Sequence, residues 1–366
     1  METSDTQTTT TTTAAAAYGG ESGGERKFSD EIITIEITSL HELALRGSWK
    51  TILEKVSTAR SLSQLRYPHE HLVYLAFNAV ALSKLRRYSE ALNDIESSLE
   101  DLNNSSYHYE SYPNVYPNLK GSMIPFVLRW LQALLPSFIG RRSESFDRLY
   151  LLLSFIRCRI DLGSDSEVWR RRENFVMSTI ISQHSNQKEF VVCFALINEM
   201  LSKDRENLSL LSKLGYIQLQ FGDLEGAKSS FQKVEDVMMR TNEEDLTVDV
   251  QNLVGRNKAL IYMVGKDYVS AVREYDVCIE RNGSDVVAIN NKALCLMYLR
   301  DLSDSIKVLE NSLERVPTVA LNETLVVNLC SMYELAYVNH TEIKKTLSNW
   351  ISRLAPDDFD PACTRI

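Results

Sequence analysis

The sequence predicts an all-α protein, a solenoid of about seven stacked helical hairpins, and three observations carry that expectation. Chain breakers are scarce, with 14 Gly and 8 Pro in 366 residues. Inside a helix each Gly costs about 1 kcal/mol and each Pro about 3, so this composition suits long helices joined by short turns. Apolar residues make up 44% of the chain and recur at helical spacing, and the helical pattern itself repeats.

Four segments in the C-terminal half align: KEFVVCFALINEM (188–200), GDLEGAKSSFQKV (222–234), KDYVSAVREYDVC (266–278) and RDLSDSIKVLENS (300–312). Each carries an acidic residue, then an aromatic or Leu, a small residue three places on, and a large apolar one four places later. The small residues Cys193, Ala227, Ala271 and Ser305 are separated by 34, 44 and 34 residues. Thirty-four is the tetratricopeptide period, so the fold class is a tetratricopeptide-repeat α–α superhelix. The extra ten residues fall in an acidic loop insertion over 240–247, around TNEED.

Each unit is expected to be two antiparallel helices, neither able to bury its apolar stripe alone. Small residues on both let the axes approach: Gly215 with Ala227, Ala259 with Ala271, Ala293 with Ser305. Upstream the same frame holds Ala79 with Ala91 and Ala133 with Ser145, while Gly47 and Trp49 mark a helix–turn–helix. Pro136 is expected to bend or end its helix, and Pro317 to follow the last full repeat. LVVNLCSMYELAYV and TEIKKTLSNWISRLA then read as a capping pair.

Residues 1–29, with their Thr and Ala runs and Gly pairs, read as a disordered low-complexity tail, leaving 30–366 as the repeat domain. EIITIEIT (31–38) fits either a short strand or the start of a helix.

The formal charge of −9 lacks the basic footprint of a nucleic-acid binder, and Arg170, Arg171 and Arg172 read as a solvated helix face. The six cysteines show no CxxC spacing and fit reduced, cytosolic thiols, with Cys193, Cys278 and Cys295 on apolar helix faces. The N-terminus lacks the regions of a signal peptide, and no apolar run is long enough to span a bilayer, so no membrane insertion is expected. His69 and His71 supply two of the three or four ligands a zinc site needs and read as a polar loop after Pro68. Glu243 and Glu244 read as solvated loop. No phosphate loop, GxSxG or HExxH occurs, so no catalytic residue, metal or cofactor is expected.

One stretch breaks the pattern. YHYESYPNVYPNLKGSMIPF, within an irregular Tyr/Pro-rich insertion over 106–126, holds four tyrosines and three prolines. It reads equally as an ordered loop packed on the solenoid or as a docking element, since Tyr gives large contact area at low entropy cost. Its interaction candidates are Tyr109, Tyr112, Pro113, Tyr116, Pro117, Gly121, Ser122 and Met123.

This segment, with GRRSESFDRL (140–149), AINNKALCLMYL (288–299) and LVVNLCSMYEL (325–335), resembles the family of subunit 12 of the transport protein particle (TRAPP) complex over roughly residues 40–355. The resemblance implies a non-catalytic tetratricopeptide subunit in endoplasmic reticulum-to-Golgi traffic and autophagy. Its partners would be other TRAPP subunits, with only an indirect link to a Rab GTPase through the complex. It further implies a cytoplasmic chain, peripherally associated with Golgi and ER–Golgi membranes. By the same resemblance, the N-terminal extension is expected to be very short beside that of the animal members. The alternative is a co-chaperone-like tetratricopeptide receptor for an acidic C-terminal peptide, for which Asn291 and Lys292 are the suggestive pair.

Overall fold

The computed structural model describes residues 37–99, 101–163, 166–241 and 246–366, and all regular elements there are helices apart from one isolated bridge. The expected tail, residues 31–36 and the centre of the acidic insertion (242–245) lie outside them. Residues 37–38 begin a helical stretch that runs to 45.

The chain forms two compact units. The first holds the described residues up to Phe155, with Pro356–Asp358; the second holds Ile156–Ala355 and Phe359–Ile366. Elements of the first are the stretch 37–45, α1 (Trp49–Ser61), α2 (Pro68–Lys84), α3 (Tyr88–Ser98), α4 (Phe126–Phe138) and the start of α5 (Arg142–Asp161). The second holds α6 (Ser166–Asn186), α7 (Phe190–Lys203), α8 (Leu208–Phe221), α9 (Leu224–Arg240), α10 (Val248–Val264) and α11 (Tyr268–Arg281). It continues with α12 (Val286–Tyr298), α13 (Leu302–Arg315), α14 (Glu323–Ala336) and α15 (His340–Leu354). Among the described residues, α2–α3 to α14–α15 make seven full pairs, and 37–45 with α1 makes an eighth.

The small residues form the seams of these pairs. Ala79, Ala91, Ala227, Ala259, Ala271, Ala293 and Ser305 are fully buried. A Cβ on Gly215 would lie 2.4 Å from Phe231 Cε1, so α8 and α9 approach as closely as a glycine allows. Three seams add a hydrogen bond: Ser145 Oγ donates to the Ala133 carbonyl at 2.8 Å, Ser305 Oγ to Ala293 at 2.6 Å, and Cys193 Sγ to Ile181 at 3.5 Å. A side chain that bonds back across the seam removes its own desolvation penalty.

The acidic residue that opens each repeat segment also has a local cause. Asp223, Asp267 and Asp301 are N-caps, each accepting from a backbone N–H three residues on, of Gly226, Ser270 and Asp304. Glu189, in the same frame, makes no cap; its carboxylate meets His184 Nδ1 at 2.5 Å.

Pro68 and Pro317 open helices, where a missing N–H is harmless, while Pro136 leaves the Gln132 carbonyl to accept from Arg148 Nη1 at 3.0 Å. Pro68 is the first residue of α2, so His69 and His71 lie in that helix's first turns and not in the expected loop. Pro136 sits in the last turn of α4, and Pro317 opens a one-turn helix (Pro317–Ala320) after α13 ends at Arg315.

In the first unit the core runs from Leu40, Trp49, Ile52 and Val56 to Leu72, Leu92, Ile95 and Leu128. Gly47, at φ +72, touches Pro356; an added Cβ would meet Pro356 Cβ at 2.5 Å. There the Asp357 N–H donates to the Gly47 carbonyl at 3.0 Å, and the Asp357 carboxylate accepts from the Lys50 N–H at 3.0 Å. Asp357 thus satisfies the N-terminus of α1, where Ser48 makes no side-chain cap.

In the second unit the clusters centre on Tyr275, Ala293, Leu309 and Leu329, and on Val326, Cys330, Ile351 and Cys363. Glu173 is buried between α5, α6 and α7, bonded by Arg157 at 2.9 Å and Lys203 at 2.7 Å. Burial works against its charge, but those two bonds prevail and hold the carboxyl below its ordinary value.

Candidate interaction surface

The Tyr/Pro-rich segment is irregular because its prolines interrupt any helix, and its backbone bonds close it on itself. Two short 3₁₀ turns, Ser105–Tyr107 and Tyr109–Ser111, face the returning strand-like stretch through the antiparallel bridge of His108 with Ser122. The Tyr109 N–H donates to the Gly121 carbonyl at 3.0 Å and the Met123 N–H to Tyr107 at 2.8 Å. Gly121 takes φ +95, open to glycine without strain, and its N–H donates to Glu110 Oε1 at 2.9 Å. Backbone N–H groups of Glu110 itself and of Gly121 hold that carboxyl below its ordinary value.

The structure sorts the eight candidates by depth. Tyr116 and Met123 are buried in the first unit's core, and Tyr109 and Tyr112 are half-buried against it. Tyr116 stacks edge-on with Tyr109 and His69, and its hydroxyl meets His69 Nδ1 at 2.5 Å. Gly121 and Ser122 are half-buried; Pro113 and Pro117 are exposed. Buried Arg129 anchors the segment from α4, donating to Asn103 Oδ1 at 3.1 Å and the Leu102 carbonyl at 2.7 Å. Beside it lies a hollow of about 440 Å³, floored by Leu72, Leu75 and Leu99 and rimmed by Tyr107, Tyr112 and Arg60.

Asn291 and Lys292 lie elsewhere, on α12 in the second unit. Asn291 Nδ2 donates to Tyr275 Oη at 3.3 Å, and Lys292 Nζ pairs with Asp276 Oδ1 at 2.5 Å. Lys292 therefore already has its counter-charge, on the wall of a depression of about 290 Å³.

Sequence reasoning passed over Cys330 and Cys363, which share a buried cluster but stand 33 residues apart with no motif to join them. Cys193, Cys278 and Cys295 are fully buried, and burial pushes all three thiols up, Cys295 to about 11. Raised in this way and buried, they act as small hydrophobes. Arg170 and Arg171 are exposed on α6. No group of His, Cys, Asp and Glu among the described residues could hold a metal ion, and no described helix is long and apolar enough to cross a membrane.

Helical pairs on a 34-residue frame, with small-residue seams and capped second helices, define a tetratricopeptide-type repeat protein. Its similarities narrow that class. The chain is 28% identical over 305 residues to trafficking protein particle complex subunit 12 of Mus musculus, covering 78% of this chain and 38% of that one. Identity to the Homo sapiens subunit 12 is also 28% over 305 residues, covering 78% and 41%. The chain thus has curated homologues in the family its Tyr/Pro segment resembles, and spans about two fifths of their length. Among solved structures, the APC/C hetero-tetramer Cut9–Hcn1 aligns with a TM-score of 0.41 at 13% identity, over 80% of this chain and 48% of that one. No protein-family model matches the chain.

Proposed function

We propose that this chain is a non-catalytic scaffold subunit of a trafficking protein particle complex, holding neighbouring subunits through its helical pairs in ER-to-Golgi traffic and autophagy. The observation that carries the proposal is the 28% identity to subunit 12 over 305 residues, most of the described fold. The helical pairs supply what a scaffold needs, a series of exposed helix faces within each unit. Any link to a Rab GTPase runs through the other subunits, and the chain works in the cytoplasm at the surface of Golgi and ER–Golgi membranes. The repeat domain over 30–366 does this work, with the Tyr/Pro segment as one docking element. Within that segment the docking groups are Tyr112, Pro113 and Pro117, because Tyr116 and Met123 are committed to the core.

Affinity purification of the tagged chain from its native source at low salt is expected to return other subunits of the complex; recovering none sinks the proposal. The docking role is tested by Tyr112→Ala, expected to lower recovery of those subunits several-fold with circular dichroism unchanged. Full recovery with that variant assigns the segment to packing alone.

A further inference from the structure

Cys330 and Cys363 are two free thiols held in one buried cluster, and the scaffold reading gives them no task. Cys330 is fully buried on α14; Cys363 is 8% exposed, in the 3₁₀ turn Pro361–Thr364 of the segment Phe359–Ile366. Val326 of α14 and Ile351 of α15 complete the cluster, with Leu347, Trp350 and Phe359 packed against it. Hydrogen bonds fix the register of the segment. The Asp360 N–H donates to Glu323 Oε1 at 2.9 Å, and Arg365 Nη1 to Ser331 Oγ at 3.4 Å. The residue after Cys330 therefore meets the second residue after Cys363.

What holds these sulfurs sets them apart from the other buried thiols. Cys278 and Cys295 also share a cluster, but each lies within a regular helix, α11 or α12. Cys363 lies on a short segment with no α-helix, fastened at its far end by the bond of Lys344 Nζ to the Arg365 carbonyl at 2.8 Å. Arg365 itself takes φ +50, a left-handed conformation disfavoured for any residue with a side chain. Such a segment opens at lower free energy than the helices it covers. While it is docked, burial raises the Cys330 thiol against the pull of Lys344 and Arg365. Burial, then the neighbouring Cys330 sulfur, pushes Cys363 up to about 12, so both thiols stay protonated and inert. Opening lets water in and leaves Lys344 to favour the Cys330 thiolate.

We propose that Cys330 and Cys363 are a reversible dithiol–disulfide switch that, oxidised by a low-molecular-weight disulfide, staples the segment Phe359–Ile366 over α14 and α15. In the open state the Cys330 thiolate attacks one sulfur of oxidised glutathione, breaks its S–S bond and releases one glutathione thiolate. As the segment returns, the Cys363 thiolate attacks the Cys330 sulfur of this mixed disulfide and expels the second glutathione thiolate. The protein pair gives up two electrons and its two thiol protons, and the oxidant leaves as two glutathione thiols. The new bond closes a loop of 33 residues, removes open states of the segment and keeps the face beneath it covered. Excess thiol runs both steps backwards. The switch stands whether or not the chain is a scaffold subunit.

The full chain is equilibrated in glutathione redox buffers at about pH 8, quenched with acid, alkylated after denaturation and mapped by mass spectrometry. Exposed Cys158, on α5, serves as the internal gauge and is expected to carry glutathione. Cys330 and Cys363 are expected to be joined to each other without glutathione, while Cys278 and Cys295 remain thiols. In the oxidised protein the Cys363 amide, which donates to the Asp360 carbonyl, should exchange at least about ten-fold more slowly, and reductant should restore its rate. Cys363→Ser should trap glutathione on Cys330. The proposal is overturned if both thiols stay reduced when Cys158 is fully modified, or if the wild type carries glutathione on Cys330 and no internal bond. A Cys278–Cys295 bond formed at the same redox ratio overturns it too, since burial in a shared cluster would then suffice. So do unchanged exchange at Cys363 and a Cys363→Ser chain with no glutathione on Cys330.

Discussion

Gly215 and Phe231 meet where α8 crosses α9, and the ring there is only 6% exposed. Alanine at 215 would add about 1 kcal/mol of helix propensity, but its Cβ would sit 2.4 Å from the ring and the seam would have to open. Overpacking costs about 1–3 kcal/mol, so the clash wins and Gly215→Ala is expected to lower the urea midpoint. Adding Phe231→Leu should recover part of that loss; strict additivity of the two changes would refute the contact. Glu173 gives a second prediction at this scale. Its folded pKa lies below its ordinary 4.5, so its stabilisation is complete above that value and is lost as the pH falls through the folded pKa. Glu173→Gln is expected to melt lower than the wild type at neutral pH and to show a shallower loss on acidification below about pH 4.5, measured by thermal melts across that range. Parallel acid profiles for the two proteins would mean that other carboxylates govern that range.

At the scale of elements, the repeat frame made the pairs legible, because a seam needs a small residue on each helix and a second helix needs an acceptor at its start. The small residue recurs along the chain and the capping aspartate in three successive pairs, at α9, α11 and α13, and recurrence is what a period detects. Asp223 and Asp267 should therefore behave alike: replacing either by Ala is expected to cost about 1 kcal/mol and to speed hydrogen exchange at the Gly226 or Ser270 amide. Glu189→Ala should leave the first turn of α7 unchanged, since its carboxylate serves His184. Equal fraying in all three would contradict the assignment. Contacts without a period stayed out of reach. Nothing in the spacing of Tyr109, Tyr112 and Tyr116 says which one turns inward, and the His69–Tyr116 bond joins residues 47 apart. The failure of the repeat marked the segment; only packing decided which of its side chains remain outside. Cys363 was missed on the same ground, since no period joins it to Cys330.

At the scale of the whole molecule, the last eleven residues do work that no local pattern announces. Asp357 reaches a backbone donor 307 positions earlier, and Asp358 pairs with Lys84 at 3.2 Å. Residues 359–366 cover part of the second unit's core, where Cys363 joins Val326, Cys330 and Ile351. There burial raises the Cys330 thiol, and Lys344 Nζ donates to the Arg365 carbonyl at 2.8 Å. Two changes separate these roles. Asp357→Ala removes only the remote cap, so it should cost about 1 kcal/mol and speed exchange at the Lys50 amide, leaving Cys330 protected. Deleting residues 356–366 should do the same at Lys50 and also expose Cys330, which mass spectrometry would read as a thiol newly open to alkylation. If Cys330 stays unlabelled in the deletion, those residues do not cover the core as described; if Asp357→Ala leaves the Lys50 amide slow, α1 is capped by some other group.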